Sequence, residues 1–291
     1  MQIIRIDSAV DVRLIDYTNL TDVAARRLRE PVEGLFIAES ALVIARALDA
    51  GYVPRSVFAS PKWADLLERE IRGRHGLDDL PVYVADGDVL RDVTGYKVHR
   101  GALASMTRRP LPDLAEMLTS VDRIAVLEDI VDHTNVGAIF RSAAALGVQA
   151  IVISPQCADP LYRRSVRVSM GSVFALPWTR ASAWPDDLEV IRNSGLALWA
   201  LTPSPAATAL DQIGISGTRW ALMFGTEGEG LSPGASARAD ARVRIPMHSG
   251  IDSLNVAAAS AVAFYALCDR PPVAVIPTED MPSAIDNSNS G

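Results

Sequence analysis

The segment 124–154 restricts the fold of this chain more than any other part of the sequence. It reads as an apolar strand over 124–128, a polar loop over 129–135, a helix, and a second apolar strand over 150–154. Two strands joined through one helix of this length run in the same direction, because a short hairpin turn cannot connect parallel strands. The segment therefore predicts a βαβ unit inside a parallel sheet, and an α/β fold class.

Apolar strand-like runs alternate with helical patterns along most of the remaining chain, as expected for α/β layers. Further strands are predicted at 35–38, 56–59, 81–85, 196–201, 220–224 and 243–247, and helices at 40–50 and 62–72. The stretch 107–112 mixes charged residues with proline, and we place a domain boundary there.

Charge is unevenly distributed along the sequence. The net charge of −7 argues weakly against a nucleic-acid partner, but net charge conceals local patterns. Lys62 and Lys97 are the only lysines, and the segments 96–112 and 160–185 carry arginines and no acid. Arginine suits two-pronged contacts with phosphate, although scattered surface arginines remain an equal alternative.

Several classes of protein are disfavoured by the sequence. Cys157 and Cys268 are the only cysteines, and their positions suggest neither a disulfide framework nor a metal site. The first 16 residues lack the apolar core of a signal peptide, and no apolar run reaches the length of a membrane helix. We therefore predict a cytoplasmic protein with no membrane partner and no metal.

Polar segments follow predicted strands of the second half, where parallel sheets bind their ligands. In the segment 132–142, Arg141 has apolar neighbours, so it either extends to solvent or points into a site. The segment 223–232 is a glycine-rich loop, but it is not the G-x-G-x-x-G pattern and lacks the lysine of a phosphate loop. Its Glu227 fits a helix cap, a solvated acid or a functional carboxylate equally well.

A third polar segment precedes an apolar helix predicted at 256–267. Asp252 or Ser253 fits the role of N-cap, because its side chain could accept a hydrogen bond from a free backbone N–H group. A cap does not explain why Asn255 follows in the first turn.

The three segments, in this order, resemble the SpoU family of the SPOUT superfamily, which are RNA ribose 2′-O-methyltransferases. The first motif is N-x-G-x-x-x-R (Asn135, Gly137, Arg141), and the second is G-x-E-x-x-G (Gly225, Glu227, Gly230). The third is I-P-M followed by S-L-N-V (Ile245, Pro246, Met247, Ser253, Leu254, Asn255, Val256). Between them, the segment 167–177 also resembles a family segment, while His133 stands where the family often has proline.

The resemblance implies a domain organisation. Residues 1–106 would form a smaller α/β RNA-binding domain similar to a ribosomal protein, and 107–121 a linker. Residues 122–270 would form a SPOUT methyltransferase domain containing a deep trefoil knot. The tail 271–291 is rich in Pro, Ser, Asn and Asp, and we predict that it is disordered.

The resemblance also implies S-adenosylmethionine as cofactor and assigns site residues. The cofactor-binding residues would be Thr202, Gly225, Ile245, Met247 and Leu254. The catalytic residues would be Asn135, Arg141, Glu227, Ser253 and Asn255. Methyl transfer from a sulfonium to a hydroxyl needs no metal. Arg141 would bind the target phosphate and stabilise the developing alkoxide, while the other four residues would orient the reactants.

The implied partners are ribosomal or transfer RNA and a second copy of the chain, which would pair through the knotted domain. We expect RNA contacts from arginines of the two acid-free segments, namely Arg100, Arg163, Arg164 and Arg167. Two alternatives stay open at this point: an RNA-binding protein without catalysis, and a dinucleotide-dependent oxidoreductase suggested only by the glycine-rich loop. His133 is treated as a solvated loop residue.

Overall fold

The structure is a computed structural model, and it describes residues 1–71, 73–98, 101–214, 217–248 and 253–268. The described residues form two sheets with helices packed on them, so the predicted α/β class is confirmed. Arg100 and the tail 271–291, both subjects of predictions, lie outside the described residues. Within the described ranges, no helix combines the length and apolar character needed to cross a bilayer.

The first half of the chain forms a mixed five-stranded sheet in the order β1-β4-β3-β5-β2. Its strands are β1 Gln2–Arg5, β2 Leu35–Glu39, β3 Pro54–Ala59, β4 Pro81–Val84 and β5 Ala102–Thr107. The pairs β1–β4 and β4–β3 are parallel, whereas β5 runs antiparallel to both β3 and β2. The accompanying helices are α1 Val23–Val32, α2 Ala41–Asp49, α3 Pro61–Ile71 and α4 Gly87–Thr94, with a 3-10 helix at Val12–Tyr17.

The second half forms a seven-stranded sheet in the order β10-β12-β9-β11-β6-β7-β8, and every pair in it is parallel. Its strands are β6 Arg123–Leu127, β7 Ala150–Ile153, β8 Trp178–Arg180, β9 Ala197–Leu201, β10 Thr208–Ala209, β11 Trp220–Phe224 and β12 Ala241–Arg244. Its helices are α5 Leu114–Leu118, α6 His133–Leu146, α7 Arg163–Val168, α8 Asp187–Asn193, α9 Pro233–Arg238 and α10 Val256–Leu267, with 3-10 helices at Ser172–Phe174 and Leu210–Gln212. The predicted βαβ unit is β6-α6-β7.

The neighbours β6 and β11 lie at the point where the chain changes direction across this sheet. From β6 the chain continues to β7 on one side, whereas from β11 it continues to β12 on the other. Both strands are buried along almost their whole length, because helices cover both faces of a parallel sheet. A crevice opens where the loops after two such strands diverge, and ligands of open parallel sheets bind there.

Helix α6 begins at this crevice. The side chain of Asp132 caps the helix by accepting a hydrogen bond from the backbone N–H of Thr134, and the helix ends at Gly147 in the left-handed region, with φ of +91°. The cap fixes Asn135 in the first turn of the helix, next to the loop that follows β6.

The two sheets are joined by ion pairs that include a residue predicted to bind RNA. Helix α7 packs against β2. Arg163 of α7 donates to the Glu39 carboxylate with Nη1 and Oε2 2.7 Å apart, and its guanidinium lies 4.5 Å from the ring centre of Tyr96. The Tyr96 hydroxyl also donates to Glu39, at 3.1 Å. The phosphate contact predicted for Arg163 remains a prediction, and its guanidinium is engaged with Glu39 within the protein.

The segment 107–121, predicted as a linker, contains secondary structure. It holds α5, whose Met117 and Leu118 are buried in the same cluster as β6 and β9 residues. Before that helix, Arg108 forms an ion pair with Asp159 of the second half. The division at 106 and 122 and the knot remain predictions.

Breaking the Glu39–Arg163 pair is expected to destabilise the protein. Glu39→Gln removes the counter-charge of a guanidinium whose side chain is only 16% exposed. Removing one partner of such a pair should lower the free energy of unfolding by about 3 kcal/mol, measured by urea denaturation. The control is Glu33→Gln, since Glu33 is 40% exposed and pairs with Arg29, and its cost should stay below about 1 kcal/mol. Equal costs for the two variants would show that the contact between the sheets contributes no special stability.

Candidate active site

A cavity of about 710 Å³ lies at the carboxyl ends of β9, β11 and β12 and against the start of α10. All five residues predicted to bind the cofactor line it, namely Thr202, Gly225, Ile245, Met247 and Leu254. The lining also includes Glu227, Ser253 and Asn255 from the predicted catalytic set. The structure therefore places the second and third polar segments around one volume, although more than twenty residues separate them in the sequence.

The glycine-rich loop that forms one wall folds back on itself. The backbone of Thr226 and that of Gly230 exchange two hydrogen bonds, of 3.0 and 3.1 Å. A Cβ atom at Gly225 would lie 2.1 Å from the carbonyl carbon of Gly230, so only glycine allows this closure. Gly230 itself has a φ of +73°, which also favours glycine. These glycines explain the loop geometry, and no dinucleotide pattern is needed to account for them.

Glu128, which the sequence reasoning did not single out, holds both ends of this loop. Its backbone N–H donates to the carbonyl of Phe224 at 2.8 Å, where the loop begins. Its carboxylate, in a residue 3% exposed, accepts hydrogen bonds where the loop ends, from the backbone N–H of Ser232 at 2.7 Å and the Ser232 hydroxyl at 2.6 Å. The indole of Trp184 supplies a third donor at 2.6 Å. An acid directly after four apolar strand residues was the available signal for this role.

Three predicted catalytic side chains form a hydrogen-bonded cluster at the cavity edge. The Asn135 amide nitrogen donates to Glu227 Oε1 at 3.0 Å, and the Asn255 amide nitrogen donates to Asn135 Oδ1 at 3.1 Å. Asn255 also donates to Glu227 Oε1. The cluster thus joins the start of α6, the glycine-rich loop and the start of α10, which are the locations of the three motifs.

Asn255 has a second role that corrects the predicted cap of α10. Its side-chain oxygen accepts from the backbone N–H groups of Ala257 and Ala258, at 3.0 and 3.4 Å. Asn255 is therefore the N-cap, in place of Ser253 or Asp252, and Asp252 lies outside the described residues. Because the oxygen is held by the helix, the amide nitrogen has to face Glu227 and Asn135. Ser253 lies two residues before Asn255 and lines the cavity.

Arg141 does not join the other four residues within one chain. It is exposed six residues after Asn135, so it lies about 9 Å further along the axis of α6. It lines a separate depression together with Arg46, Ala144, Ala145, Met170 and Ser172. The structure therefore brings together Asn135, Glu227, Ser253 and Asn255, and leaves Arg141 apart from them.

The remaining predicted RNA-binding arginines differ in their surroundings. Arg164 and Arg167 are exposed on α7, and Arg167 approaches Glu39 to 3.7 Å. They remain candidates for phosphate contact, whereas Arg163 is engaged with Glu39 as described above.

His133 is buried at the first position of α6, so the interpretation as a solvated loop residue is wrong. Its ring centre lies 4.3 Å from that of Tyr162. Burial lowers the pKa of the imidazole below its ordinary value, and the nearby charge of Arg27 lowers it further. A neutral ring suits a packing role beneath the first turn of α6. Within the described ranges, no group of three or more acidic, histidine or cysteine side chains is arranged to hold a metal ion.

The sequence profile of the SpoU rRNA Methylase family matches residues 122–265, the part of the chain that contains the cavity. The uncharacterized tRNA/rRNA methyltransferase Rv0881 of Mycobacterium tuberculosis is 42% identical over 257 residues, which is 88% of each chain. The 23S rRNA (guanosine-2′-O-)-methyltransferase RlmB of Escherichia coli is 27% identical over 199 residues, 66% of this chain and 81% of RlmB.

Solved structures give a similar result. The SpoU methyltransferase AviRb from Streptomyces viridochromogenes, in complex with the cofactor AdoMet, superposes with a TM-score of 0.73 and 25% identity. The match covers 88% of this chain and 97% of AviRb. Similarity on this scale establishes that the chain belongs to the SpoU rRNA methylase family.

Proposed function

We propose that the protein transfers a methyl group from S-adenosylmethionine to a ribose 2′-hydroxyl of ribosomal or transfer RNA. The observation that carries the proposal is the cavity, where residues of the second and third motifs form the wall and the Asn135–Glu227–Asn255 cluster lies at the edge. The names of Rv0881 and RlmB support RNA as the substrate class, and that of RlmB supports the 2′-hydroxyl as the acceptor.

The residues that line the cavity fit S-adenosylmethionine. A volume of about 710 Å³ lies within the usual range for small-molecule sites. Leu201, Phe224, Ile245 and Leu254 supply apolar walls that suit an adenine ring. The glycine-rich loop brings backbone groups close to the same space, since Gly228 has no side chain there. Together these groups would hold the nucleoside without a charged partner.

The cofactor supplies a methyl group already activated on a sulfonium, so the protein has to align the acceptor and assist loss of its proton. Both amide nitrogens of the cluster face Glu227 Oε1. Glu227 and Asn255 are exposed at the cavity edge, so Glu227 can accept a further hydrogen bond from a ribose hydroxyl. Holding the hydroxyl in line with the methyl group would contribute several kcal/mol.

Arg141 would stabilise the negative charge that develops on the ribose oxygen, because a guanidinium stays protonated and cannot serve as a base. Within one chain it lies apart from the cavity. A second copy of the chain would resolve this separation by placing its own Arg141 at the cavity edge. We therefore propose a homodimer whose active sites combine groups from both copies.

Helix α10 offers a surface for such a dimer. The helix is apolar on all sides, and this composition is typical of a helix covered all round. Ala258, Val262 and Tyr265 are nevertheless exposed, and their spacing places them on one face of the helix. Helix α6, which carries Arg141, packs against α10, so a dimer through this face would bring α6 of one copy near the other copy.

A complementation experiment tests both proposals. Arg141→Ala and Glu227→Ala should each reduce methylation of RNA by roughly two orders of magnitude. Co-expressing the two variants should restore about a quarter of wild-type activity, because half of the dimers are mixed and each mixed dimer has one intact site. Incorporation of methyl groups into bulk RNA from S-adenosylmethionine is the measurement.

The control pairs Glu227→Ala with Asn255→Ala, which damage the same cavity and should not complement each other. Absence of complementation between Arg141→Ala and Glu227→Ala, or a monomer in sedimentation, would show that Arg141 acts within its own chain or not at all.

Glu128 is expected to control cofactor affinity through the loop. In Glu128→Gln an amide group replaces one carboxylate oxygen, so a buried donor near Ser232 or Trp184 loses its acceptor. Calorimetric titration should show a dissociation constant for S-adenosylmethionine raised about tenfold, with turnover at saturating cofactor changed much less. Glu116→Gln, on the exposed surface of α5, is the control and should bind normally. Wild-type affinity in Glu128→Gln would contradict this role.

A further inference from the structure

Arg46 and Arg141 line the same depression, although they belong to different sheet units, a sheet unit being one sheet with the helices packed on it. Arg46 lies in the last turn of α2, which packs on the first sheet, and Arg141 lies on α6. The depression has a volume of about 330 Å³, and no acidic residue of the described ranges lines it. A depression of this volume has room for one phosphate group.

These two guanidiniums differ from most others in the protein because they lack an acidic partner among the described residues. Many of the described arginines form ion pairs, for example Arg26, Arg29, Arg74, Arg108, Arg163, Arg192, Arg219 and Arg238. An anion bound between two like charges of one depression offsets their mutual repulsion. A tetrahedral phosphate accepts hydrogen bonds from two guanidiniums at once.

The segment 167–177, which resembles a family segment but lies outside the three motifs, shapes this depression. The carbonyl oxygen of Met170 accepts a hydrogen bond from Arg46 Nη1. Met170 has a φ of +53°, an uncommon value for a residue other than glycine. Its own carbonyl, which accepts from Arg46, is therefore part of a turn. A Cβ atom at the next residue, Gly171, would lie 3.3 Å from Cδ of Arg46. The turn therefore packs against the Arg46 stem and holds its guanidinium at the depression that Arg141 also lines.

We propose that Arg46 and Arg141 together bind one backbone phosphate of the RNA substrate. This inference rests on the proposed function and extends it, since α2 of the first sheet unit then supplies a substrate contact that the three motifs do not contain. The contact would give an acidic protein a place to bind RNA, because many of its other described arginines pair with acids of the same chain.

The test measures binding of a fluorescein-labelled single-stranded 20-nucleotide RNA by fluorescence anisotropy, at several KCl concentrations. Arg46→Gln and Arg141→Gln should each weaken binding about tenfold and lower the slope of log affinity against log salt by about 0.7. The double variant should be little weaker than either single variant, because both remove the same phosphate contact. Inorganic phosphate should compete with the RNA on the wild type, compared with KCl of equal ionic strength, and not on the double variant.

The matched control is Arg69→Gln, an exposed arginine on α3 of the same sheet unit, which should bind RNA as the wild type does. If Arg46→Gln does not fold, Arg46→Lys takes its place. It keeps the positive charge and should retain part of the RNA affinity. The proposal is overturned by wild-type affinity in Arg46→Gln, by an equal loss in Arg69→Gln, or by single effects that multiply in the double variant. Competition by phosphate without any change in RNA affinity would mark a site for free anions and would also overturn it.

This binding experiment can fail without affecting the proposed methyl transfer, because it measures RNA affinity and no methyl transfer takes place in it. A wild type that methylates RNA while Arg46→Gln binds RNA normally would remove only this inference. A wild type that methylates no RNA, with Arg46→Gln still impaired in binding, would remove only the proposed reaction.

Discussion

Parallel pairing of β6 with β11 is the contact on which the candidate site depends. These strands lie almost a hundred residues apart in the chain, yet they align in register from Arg123 opposite Trp220 to Leu127 opposite Phe224. The register brings Glu128 next to the start of the glycine-rich loop that follows β11. It also places the loop between β6 and α6 beside the glycine-rich loop. A slip of one residue would turn the Glu128 carboxylate to the other face of the sheet. The loop would then lose the group that fixes its end, and Glu227 would lose its position beside Asn135.

Ion pairing inside the protein largely determines which arginines remain for a ligand. Two segments of the sequence carry arginines and no acid, but several of those arginines meet acids or carbonyl groups from elsewhere in the chain. Arg163 reaches Glu39 across 124 residues, and Arg108 reaches Asp159 across 51. Arg180 donates to the carbonyl oxygens of Ser154, Pro155 and Cys157. Charge patterning along a sequence reports local composition only, whereas availability for phosphate depends on contacts over long sequence separations.

The same distinction explains which elements of the fold could be predicted. The strands β6, β7 and β11 of the second sheet are apolar on both faces, so runs such as 220–224 are visible in the sequence. Strand β1 lies at a sheet edge with most of its residues exposed, and β5 contains small residues and a buried serine, so neither was predicted. Helix α1 was not predicted for another reason. Its buried positions are Arg26 and Glu30, which pair with each other. A helix whose buried face is charged shows no apolar periodicity.

At the site, the motif residues could be predicted as a set, but their division between two places could not. Asn135 and Arg141 belong to one motif on one helix, yet they are six residues apart and point to different surroundings, one to the cavity edge and one to the depression with Arg46. Spacing within a helix gives the relative direction of two side chains but does not say what lies opposite each of them. For Asn135 the opposing groups come from the glycine-rich loop and α10, and for Arg141 the opposing group comes from α2 of the other sheet unit. If the depression at Arg141 holds a phosphate and the cavity edge at Asn135 holds a ribose, one RNA chain would have to span the two places. It would do so either on one copy of the protein or across the two copies of a dimer. The α6 motif would then align the acceptor at one end of the helix and neutralise its phosphate at the other.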